Sequence, residues 1–364
     1  MERGVYVRPE VFELEVTDLF PRTWMFVCDT SEVAKPGDFV TTTIGHEPVV
    51  VLRDGDTIRA FSNVCTHRAC LLLTEGGNCG RKIVCPYHGW SYGLDGRLTG
   101  VSYRSGFACE PDTDHLGLRE LALGVWECFV FVNVSGDAPP LMEYLEDAPR
   151  LLAGHAVSAA KLIHSVDDEV AANWKILVDN AFCDYHIPFV HKRLMRSHQG
   201  ISDFTESAGT YTNVLRSRLK PSATVGSGRP METLLVGIFP NLVVIGFVNG
   251  DVHLLYWLPE GVDRSRALVR AYSHSDEERQ GFEFAYGSQY VDDERKAIEQ
   301  LQHEDYDICE RVQRGMRSKY FHPGPRHYLE TRVNGFQEKY LDLMRQLVDE
   351  DEPSAEIRRI GLNN

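Results

Sequence analysis

The chain contains 364 residues, of which 43% are hydrophobic and 25% are charged. These proportions are typical of a globular protein and exclude a disordered, collagen-like or coiled-coil chain. With 38 basic and 53 acidic residues, the formal net charge is −15. Nucleic acids and anionic membranes bind basic surfaces, so neither is expected as the main partner. The length predicts two domains, each large enough to bury its own core.

The sequence also bears on the cellular compartment. No stretch approaches the roughly 18 apolar residues of a transmembrane helix. The N-terminal stretch MERGVYVRPEVFELEV mixes charged and apolar residues and lacks the apolar core of a signal peptide. We therefore expect a cytoplasmic protein that does not associate with membranes. Its nine cysteines are too few for a disulfide scaffold, and in a reducing compartment they are free thiols or metal ligands.

The first part of the chain predicts a helical segment followed by an all-β domain. Apolar residues recur at helical spacing within residues 1–36. Residues 37–135 contain short β-rich runs separated by Pro-Gly-Asp and Asp-Gly-Asp turn sequences. The predicted strands of this domain are residues 40–44, 49–52, 58–61, 91–93 and 126–134.

The second part of the chain predicts a domain that mixes helices and strands. The proline-containing stretch at residues 135–140 is the expected linker, and residues 136–364 follow as an α+β domain. Asn249-Gly250 predicts a hairpin turn between two of its strands. The predicted helices are residues 141–153, 173–187, 276–318 and 329–349, and the predicted strands are residues 234–239, 243–248, 252–257 and 267–272.

Two cysteines and two histidines in the β domain have the spacing of metal ligands. Cys65 and His67 form a Cys-x-His sequence, and Cys85 and His88 form a Cys-x-x-His sequence further on. Zinc accepts such a set of ligands. A [2Fe–2S] centre with two cysteines on one iron and two histidines on the other is the favoured alternative. Histidine ligation raises the reduction potential of such a centre, so it accepts electrons readily.

The residues around these four side chains resemble a known family. The sequences Cys-Thr-His-Arg from Cys65 and Cys-Pro-Tyr-His-Gly-Trp-Ser-Tyr from Cys85 are similar to the Rieske domain of aromatic-ring-hydroxylating oxygenases. The resemblance implies a [2Fe–2S] cluster held by Cys65, His67, Cys85 and His88. Respiratory Rieske proteins have a second bridging cysteine where this chain has Tyr87. Cys70 is therefore expected to be a buried thiol without a disulfide.

A second group of candidate ligands lies in the α+β domain. His186 and His191 are five residues apart, so on a regular helix they would point about 140° away from each other. Pro188 lies between them and is expected to break the helix, which would let both rings face one metal. Two histidines and one carboxylate form the facial triad of non-haem iron oxygenases. The segment resembles the mononuclear iron site of the same family. The matching Glu-Asp helix implies Asp305 as the third ligand, with Asp307 as its rival.

One position departs from the family pattern. The family usually has a carboxylate three residues before the first histidine, where it bridges the two metal centres of neighbouring subunits. This chain has Cys183 there. Asp184, one residue later, is the preferred candidate for the bridging role, and Asp179 is the alternative because it lies about two helical turns before His186.

The resemblance implies the catalytic alpha subunit of a Rieske non-haem iron oxygenase. Electrons from NAD(P)H would reach the cluster through a reductase, with or without a ferredoxin, and O₂ would react at a mononuclear Fe(II). The implied fold has a helix-grip antiparallel sheet in the catalytic domain, with the N-terminal helical segment packed on that domain. The implied assembly is a head-to-tail homotrimer, and a beta subunit stays open.

The substrate is expected to be a small organic molecule, with an aromatic compound preferred. Family members carry out dihydroxylation, monohydroxylation or demethylation. The stretch at residues 312–318 also resembles quaternary-ammonium monooxygenases, which act on carnitine- or betaine-like compounds. An electron carrier without oxygenase activity is a distant alternative. Five aromatic residues are either pocket-lining or core residues, namely Phe182, Phe189, Phe239, Phe247 and Trp257.

Overall fold

The computed structural model describes residues 1–109, 115–192, 203–218, 232–247, 250–274 and 294–350. The chain divides into two compact units. One unit comprises Val16–Leu141, and the other comprises Met1–Glu15 together with Met142–Asn364. None of the described helices is both long enough and apolar enough to cross a membrane.

In its described residues the unit Val16–Leu141 contains three small antiparallel sheets. Their strand orders are β1-β10-β9, β4-β3-β2-β5 and β6-β7-β8. The strand β3 lies inside the second sheet, and its four consecutive residues Val49 to Leu52 are fully buried. The strands are β1 (Met25–Asp29), β2 (Asp38–Ile44), β3 (Glu47–Asp54), β4 (Thr57–Ser62), β5 (Gly76–Asn78), β6 (Lys82–Val84), β7 (Ser91–Gly93), β8 (Leu98–Gly100), β9 (Ala122–Trp126) and β10 (Phe129–Asn133).

The other unit is organised around an antiparallel sheet. Within the described residues it has seven strands in the order β11-β17-β16-β15-β14-β13-β12. The strands are β11 (Lys161–Val170), β12 (Asp203–Ala208), β13 (Thr212–Arg218), β14 (Glu232–Ile238), β15 (Leu242–Gly246), β16 (Val252–Gly261) and β17 (Arg264–Ser273).

The helices of this unit pack on the sheet and on one another. The helix α5 contacts β16 and α7, and α8 packs on β12 and β13. The helices are α1 (Gly4–Val7), α2 (Pro9–Leu14), α3 (Leu141–Tyr144), α4 (Ala148–Leu152), α5 (Trp174–Ala181), α6 (Ile187–Val190), α7 (Glu294–Met316) and α8 (Thr331–Glu350). A π-helical turn covers Glu15–Leu19, of which only Glu15 belongs to this unit.

A fully buried polar network attaches the N-terminal residues to α5. The carboxylate of Glu15 accepts hydrogen bonds from Trp174 Nε1 at 2.8 Å and from Lys175 Nζ at 2.6 Å. The hydroxyl of Tyr340 donates to the same carboxylate. All four side chains are buried. Because a buried charge needs a partner, this network fixes residues 1–15 against the helix that leads into the histidine segment.

Several predicted elements are confirmed and others are wrong. The strands predicted at 40–44, 49–52 and 58–61 are present as β2, β3 and β4. The predicted helical segment 1–36 ends at Leu19, and Met25–Asp29 is a strand paired with Phe129–Asn133. The predicted strand 126–134 is interrupted because the chain turns at Glu127, where φ is 54°, so that β9 ends before β10 begins.

The second unit also differs from expectation. The predicted helix 141–153 is two short helices, and the predicted helix 173–187 stops at Ala181. The strand β11 was missed because its side chains alternate between exposed polar and partly buried positions, so it lacks a long apolar run. The strands β12 and β13 were missed as well. The predicted hairpin residue Asn249 and the first part of the predicted helix 276–318 lie outside the described residues.

Candidate iron–sulfur and metal-binding sites

The two cysteine-histidine loops share one backbone design. In the first loop the amide of Cys65 donates to the carbonyl of Cys70, and the amide of Ala69 donates back to the carbonyl of Cys65. The second loop, which starts at Cys85, repeats both bonds at the same spacing. The fifth residue of each loop has a left-handed backbone, with φ of 54° at Ala69 and 69° at Gly89. Two equivalent tight turns therefore present a cysteine and a histidine each.

The side chains of these loops have the chemistry of a mixed-ligand cluster site. Cys65 and Cys85 are buried in the core of this unit, whereas His67 and His88 lie nearer its surface. The two imidazole rings are 4.7 Å apart, and His67 stacks on Trp90. The Nδ1 atom of His67 is buried and has no hydrogen-bond partner among the residues that the structure describes, so a metal bond would satisfy it. These donors fit the [2Fe–2S] group that the sequence predicts.

Tyr92 makes a further contact with this site. Its hydroxyl lies 3.2 Å from the Sγ atom of Cys65 and 3.0 Å from the hydroxyl of Thr66. Burial raises the pKa of Tyr92 to about 12, so its hydroxyl stays protonated and can donate to sulfur. Cys70 is a free thiol, as expected, but it is half-buried rather than buried.

The helix α5 is held in place by its first residue and by α7. The side chain of Asn173 accepts from the amide of Lys175 at 3.0 Å and donates to the carbonyl of Val262 at 2.7 Å. The backbone amide of Asn173 donates to Gln313 on α7 at 2.8 Å. The Asn-Trp-Lys and Val-Gln-x-Gly sequences therefore meet here. This contact packs the helix that carries Asp305 beside the histidine segment.

His186, His191 and Asp305 converge on one point. The Nε2 atoms of the two histidines are 3.4 Å apart. The Oδ1 atom of Asp305 lies 3.3 Å from Nε2 of His186 and 3.1 Å from Nε2 of His191. One ligand atom from each residue lies within 4.8 Å of the other two. Two imidazoles and one carboxylate at this spacing fit a non-haem iron with further coordination positions left open.

The helix is interrupted at a different place from the one predicted at Pro188. Pro188 does not break the helix; it lies in the first turn of α6, where proline is well tolerated. The interruption comes earlier, between the end of α5 at Ala181 and His186. His191 then leaves helical geometry with ψ of 55°. The two rings therefore belong to the two ends of a single helical turn.

His186, His191 and Asp305 shift one another's pKa values toward the charged forms. Burial lowers the pKa of His186, but its interactions with Asp305 and Cys183 outweigh this and raise it to about 10. The pKa of His191 is raised by Asp305 in the same way against the effect of burial. Burial raises the pKa of Asp305, yet the contacts with His186 and His191 at 3.3 and 3.1 Å bring it well below its usual range. A dication bound here would take the place of these protons.

The two carboxylates that flank Asp305 on α7 contact different partners. The rival Asp307 pairs with Arg311 at 2.6 Å on the exposed side of α7, away from the histidines. Glu304 lies 3.0 Å from the Nδ1 atom of His191. Sequence reasoning did not identify Glu304, although it is part of the Glu-Asp pair that indicated Asp305.

Both candidate bridging carboxylates, Asp184 and Asp179, form hydrogen bonds with residues other than His186. Asp184 accepts a hydrogen bond from Arg332 at 2.9 Å, and both side chains are buried. Asp179 accepts from the hydroxyl of Tyr6 at 2.5 Å and from Gln337 at 3.0 Å. The structure therefore brings neither carboxylate into hydrogen bonding with His186 within the described part of the chain. Arg332 was not foreseen because its partner is distant in sequence.

Most of the predicted aromatic candidates lie in the core. Phe182, Phe239, Phe247 and Trp257 are buried, whereas Phe189 is 66% exposed. Phe182 and Phe239 line a cavity of about 20 Å³, which is room for roughly one water molecule. That cavity is too small for an organic substrate.

Two family models match the chain. Residues 155–346 match the ring hydroxylating alpha subunit (catalytic domain), which is more than half of the chain. Residues 23–111 match the Rieske [2Fe-2S] domain. The Rieske match contains the four cysteine and histidine candidates, and the catalytic-domain match contains His186, His191 and Asp305.

Three curated relatives illustrate the range of similarity. The oxygenase subunit of glycine betaine monooxygenase from Chromohalobacter salexigens is 29% identical, covering 97% of this chain and 87% of the relative. The chloroplastic choline monooxygenase of Spinacia oleracea is 27% identical over 88% of this chain and 72% of its own. The large oxygenase component of the naphthalene 1,2-dioxygenase system from Pseudomonas putida is 36% identical, but over only 55% of this chain and 46% of its own.

Solved structures share the fold. A quaternary ammonium Rieske monooxygenase superposes with a TM-score of 0.79 at 23% identity, covering 95% of this chain and 94% of the other. Naphthalene 1,2-dioxygenase from Rhodococcus sp. superposes with a TM-score of 0.78 at 20% identity, covering 96% and 94%.

The predicted family and fold class are therefore confirmed, with a Rieske domain and an α+β catalytic domain. The cofactors of this family are a Rieske [2Fe–2S] cluster and a mononuclear non-haem iron, so the zinc alternative is not supported. The predicted enzyme class, an oxidoreductase that uses O₂, is confirmed as well. The chain belongs to the ring-hydroxylating alpha subunit family of Rieske oxygenases.

Proposed function

We propose that this chain is a terminal oxygenase that oxidises a small quaternary ammonium compound. The observation that carries the proposal is the extent of similarity. The glycine betaine monooxygenase subunit aligns with 97% of the chain, whereas the naphthalene dioxygenase component aligns with 55%. The proposal places the quaternary ammonium alternative ahead of the aromatic substrate that the sequence alone favoured.

In this proposal each of the two ligand sets holds a different iron cofactor. Cys65, His67, Cys85 and His88 hold the [2Fe–2S] cluster. His186, His191 and Asp305 hold the mononuclear iron. When bound, the cluster supplies single electrons and the iron supplies oxygen activation. The single carboxylate offsets part of the iron's charge, and three protein ligands leave the other coordination positions open.

A quaternary ammonium group sets clear requirements on the substrate pocket. It has no N–H group, so recognition depends on aromatic faces and carboxylates around a diffuse positive charge. Four of the five aromatic candidates are buried in the core. The fifth, Phe189, is exposed and lies between His186 and His191 in the chain. Phe189 packs edge-on against Tyr185 with ring centroids 6.2 Å apart. We propose this aromatic pair as a candidate contact for the cationic end of the substrate.

An aromatic substrate is the second candidate function. The observation that favours it is the higher local identity, 36% over 208 residues, with the naphthalene 1,2-dioxygenase component. The same iron ligands would serve either substrate. The difference would lie in the pocket, which must be apolar for a hydrocarbon and must offset positive charge for a quaternary amine.

The proposed partners follow from the electron supply. A reductase fed by NAD(P)H, with or without a ferredoxin, would reduce the cluster. The net charge of −15 would suit a basic electron-transfer partner. We further propose a homotrimer in which electrons cross between subunits, with a beta subunit as the alternative arrangement.

An anaerobic single turnover tests the substrate. Protein with a reduced cluster would receive O₂ together with a quaternary amine, an aromatic acid or a neutral aromatic compound. We expect cluster reoxidation coupled to product formation with the quaternary amine. Coupled turnover with the aromatic compounds alone would overturn the substrate assignment while leaving the enzyme class intact.

A pair of variants on α7 tests the iron site and the electron-carrier alternative. Asp305→Ala should lose mononuclear iron and product formation while it keeps the visible spectrum of the cluster. Asp307→Asn is the matched control, because it changes an exposed carboxylate two residues away, and it should behave like the parent protein. Normal turnover in Asp305→Ala would show that Asp305 is not the ligand. Absence of turnover in the parent protein with iron bound would favour the electron carrier.

A further inference from the structure

The two histidines of the proposed iron site differ in the hydrogen bonding of their Nδ1 atoms. The Nε2 atoms of His186 and His191 both face Asp305, at 3.3 and 3.1 Å. On the opposite side of its ring, the Nδ1 atom of His191 lies 3.0 Å from the Oε2 atom of Glu304. The Nδ1 atom of His186 is buried and has no hydrogen-bond partner among the described residues.

Glu304 is itself held in position by its own helix. Gln300 lies one turn earlier on α7, and its Nε2 atom donates to the Oε1 atom of Glu304 at 3.2 Å. Residues four apart on a helix lie on the same face, so this contact follows from the helical geometry. One carboxylate oxygen therefore faces Gln300 and the other faces His191. The carboxylate is 27% exposed, which leaves its charge only partly screened.

The contact with Glu304 determines which nitrogen of His191 is available to a metal. A neutral imidazole has one N–H and one lone pair. When Nδ1–H donates to a carboxylate, the lone pair is on Nε2, the nitrogen that faces Asp305. Carboxylate–histidine–metal arrangements fix the tautomer and the ring orientation and make the ligand more basic.

We propose that Glu304 is a positioning residue, which holds His191 in the tautomer and orientation that the mononuclear iron requires. The proposal rests on the assignment of His186, His191 and Asp305 as ligands. Cys183 stands at the position where the sequence resemblance implies a carboxylate, and neither Asp184 nor Asp179 forms a hydrogen bond with His186 among the described residues. The carboxylate support of the iron ligands therefore comes from α7, through Glu304 and His191, rather than from the segment before His186.

The test measures Fe(II) affinity directly, without relying on turnover. The apo site of the full-length protein, with its cluster intact, would be titrated anaerobically with Fe(II). Glu304→Ala should weaken Fe(II) binding by about 10- to 100-fold. Glu304→Gln keeps the shape and an acceptor oxygen but loses the charge, so its affinity should lie between those of the parent protein and Glu304→Ala. The visible spectrum of the cluster should be unchanged in both variants.

Two controls separate this proposal from the site assignment. Asp307→Asn, on the same helix and paired with Arg311, should bind Fe(II) as the parent protein does. Asp305→Ala should lose Fe(II) binding. If Glu304→Ala folds and binds Fe(II) with the parent affinity, the positioning role is overturned. If Glu304→Ala does not fold, Glu304→Met, which keeps the length but has no acceptor oxygen, takes its place in the same titration. If Asp305→Ala also binds with the parent affinity, the ligand assignment itself is wrong.

Discussion

The hydroxyl group of Tyr92 lies beside Cys65, one of the proposed cluster ligands. It lies 3.2 Å from the Sγ atom of Cys65 and also contacts Thr66. A hydrogen bond to a ligating sulfur stabilises the more electron-rich, reduced cluster and therefore raises its reduction potential. If Cys65 is a ligand, the hydroxyl of Tyr92 would raise the reduction potential of the cluster.

Replacing this hydroxyl should change the potential and little else. We expect Tyr92→Phe to lower the reduction potential of the cluster, because the donor to Cys65 is lost while the ring stays in the core. Redox titration followed by the visible spectrum measures the change. Tyr87→Phe is the control, since Tyr87 is 56% exposed and stacks on His88 through its ring. An unchanged potential in Tyr92→Phe would show that its hydroxyl does not act on the cluster.

A second residue-scale feature is the buried pair of Asp184 and Arg332. The two side chains are separated by 2.9 Å and are almost completely inaccessible. The Nε and Nη1 atoms of Arg332 have no hydrogen-bond partner within the described residues. The guanidinium group also lies over the ring of Phe182, 5.7 Å from its centroid. This pair therefore links Asp184, two residues before His186, to α8.

Breaking this pair should destabilise the protein strongly. Arg332→Met leaves Asp184 buried without a partner, and we expect a loss of about 3–5 kcal/mol in the free energy of unfolding. The double variant Arg332→Met, Asp184→Asn should recover much of the loss, because no uncompensated charge is left. Urea denaturation of the parent protein and the variants measures both effects. Equal losses in the single and double variants would contradict a pairing energy between the two residues.

At the scale of elements, α5 connects the N-terminal residues, the sheet and α7. Its first turn bonds to Glu15 through Trp174 and Lys175. Its N-cap residue, Asn173, bonds to Gln313 on α7 and to the carbonyl of Val262. The position of the histidine segment after α5 thus depends on contacts at the opposite end of the helix.

The N-cap gives a direct test of this role. Asn173→Ala removes the acceptor for the amide of Lys175 and the donor to Val262, so we expect a loss of about 1–2 kcal/mol in the free energy of unfolding. Asn173→Asp keeps the capping oxygen but not the donor, and it should lose less. Denaturation midpoints compare the three proteins. A loss as large in Asn173→Asp as in Asn173→Ala would assign the effect to Val262 rather than to the cap.

Secondary-structure elements were predicted correctly where their own residues carry a clear pattern. The strands β2 and β3 have β-branched runs bounded by turn sequences, and they were predicted closely. The helical segment 1–36 was predicted too long because apolar spacing alone does not reveal that Met25–Asp29 pairs with Phe129–Asn133. That pairing joins residues more than a hundred positions apart, and the strand is stable only because its partner strand supplies the hydrogen bonds.

At the scale of the whole molecule, the two proposed ligand sets lie in separate units. Cys65 and Cys85 belong to the unit Val16–Leu141, and the histidine segment belongs to the other unit. Each unit therefore needs only its own core to form its own metal site. Transfer of electrons between the two centres is a property that the proposed trimer would have to supply.

The assembly can be tested by mass. We expect sedimentation equilibrium to give three times the chain mass of 41.2 kDa for a homotrimer. A larger mass accompanied by a second polypeptide would indicate a beta subunit. A monomeric mass together with normal turnover would contradict electron transfer between subunits.

The sequence by itself determined the family and the two candidate ligand sets. Cys-x-His, Cys-x-x-His and the His186–His191 pair are short spacings that lie within single loops, so their chemistry is readable without the fold. Only the tertiary structure separated Asp305 from Asp307 and revealed Glu304 and Arg332. Glu304 and His191 are 113 positions apart, and Arg332 and Asp184 are 148 positions apart. Such contacts arise from how α7 and α8 pack beside the histidine segment, and no local pattern encodes them.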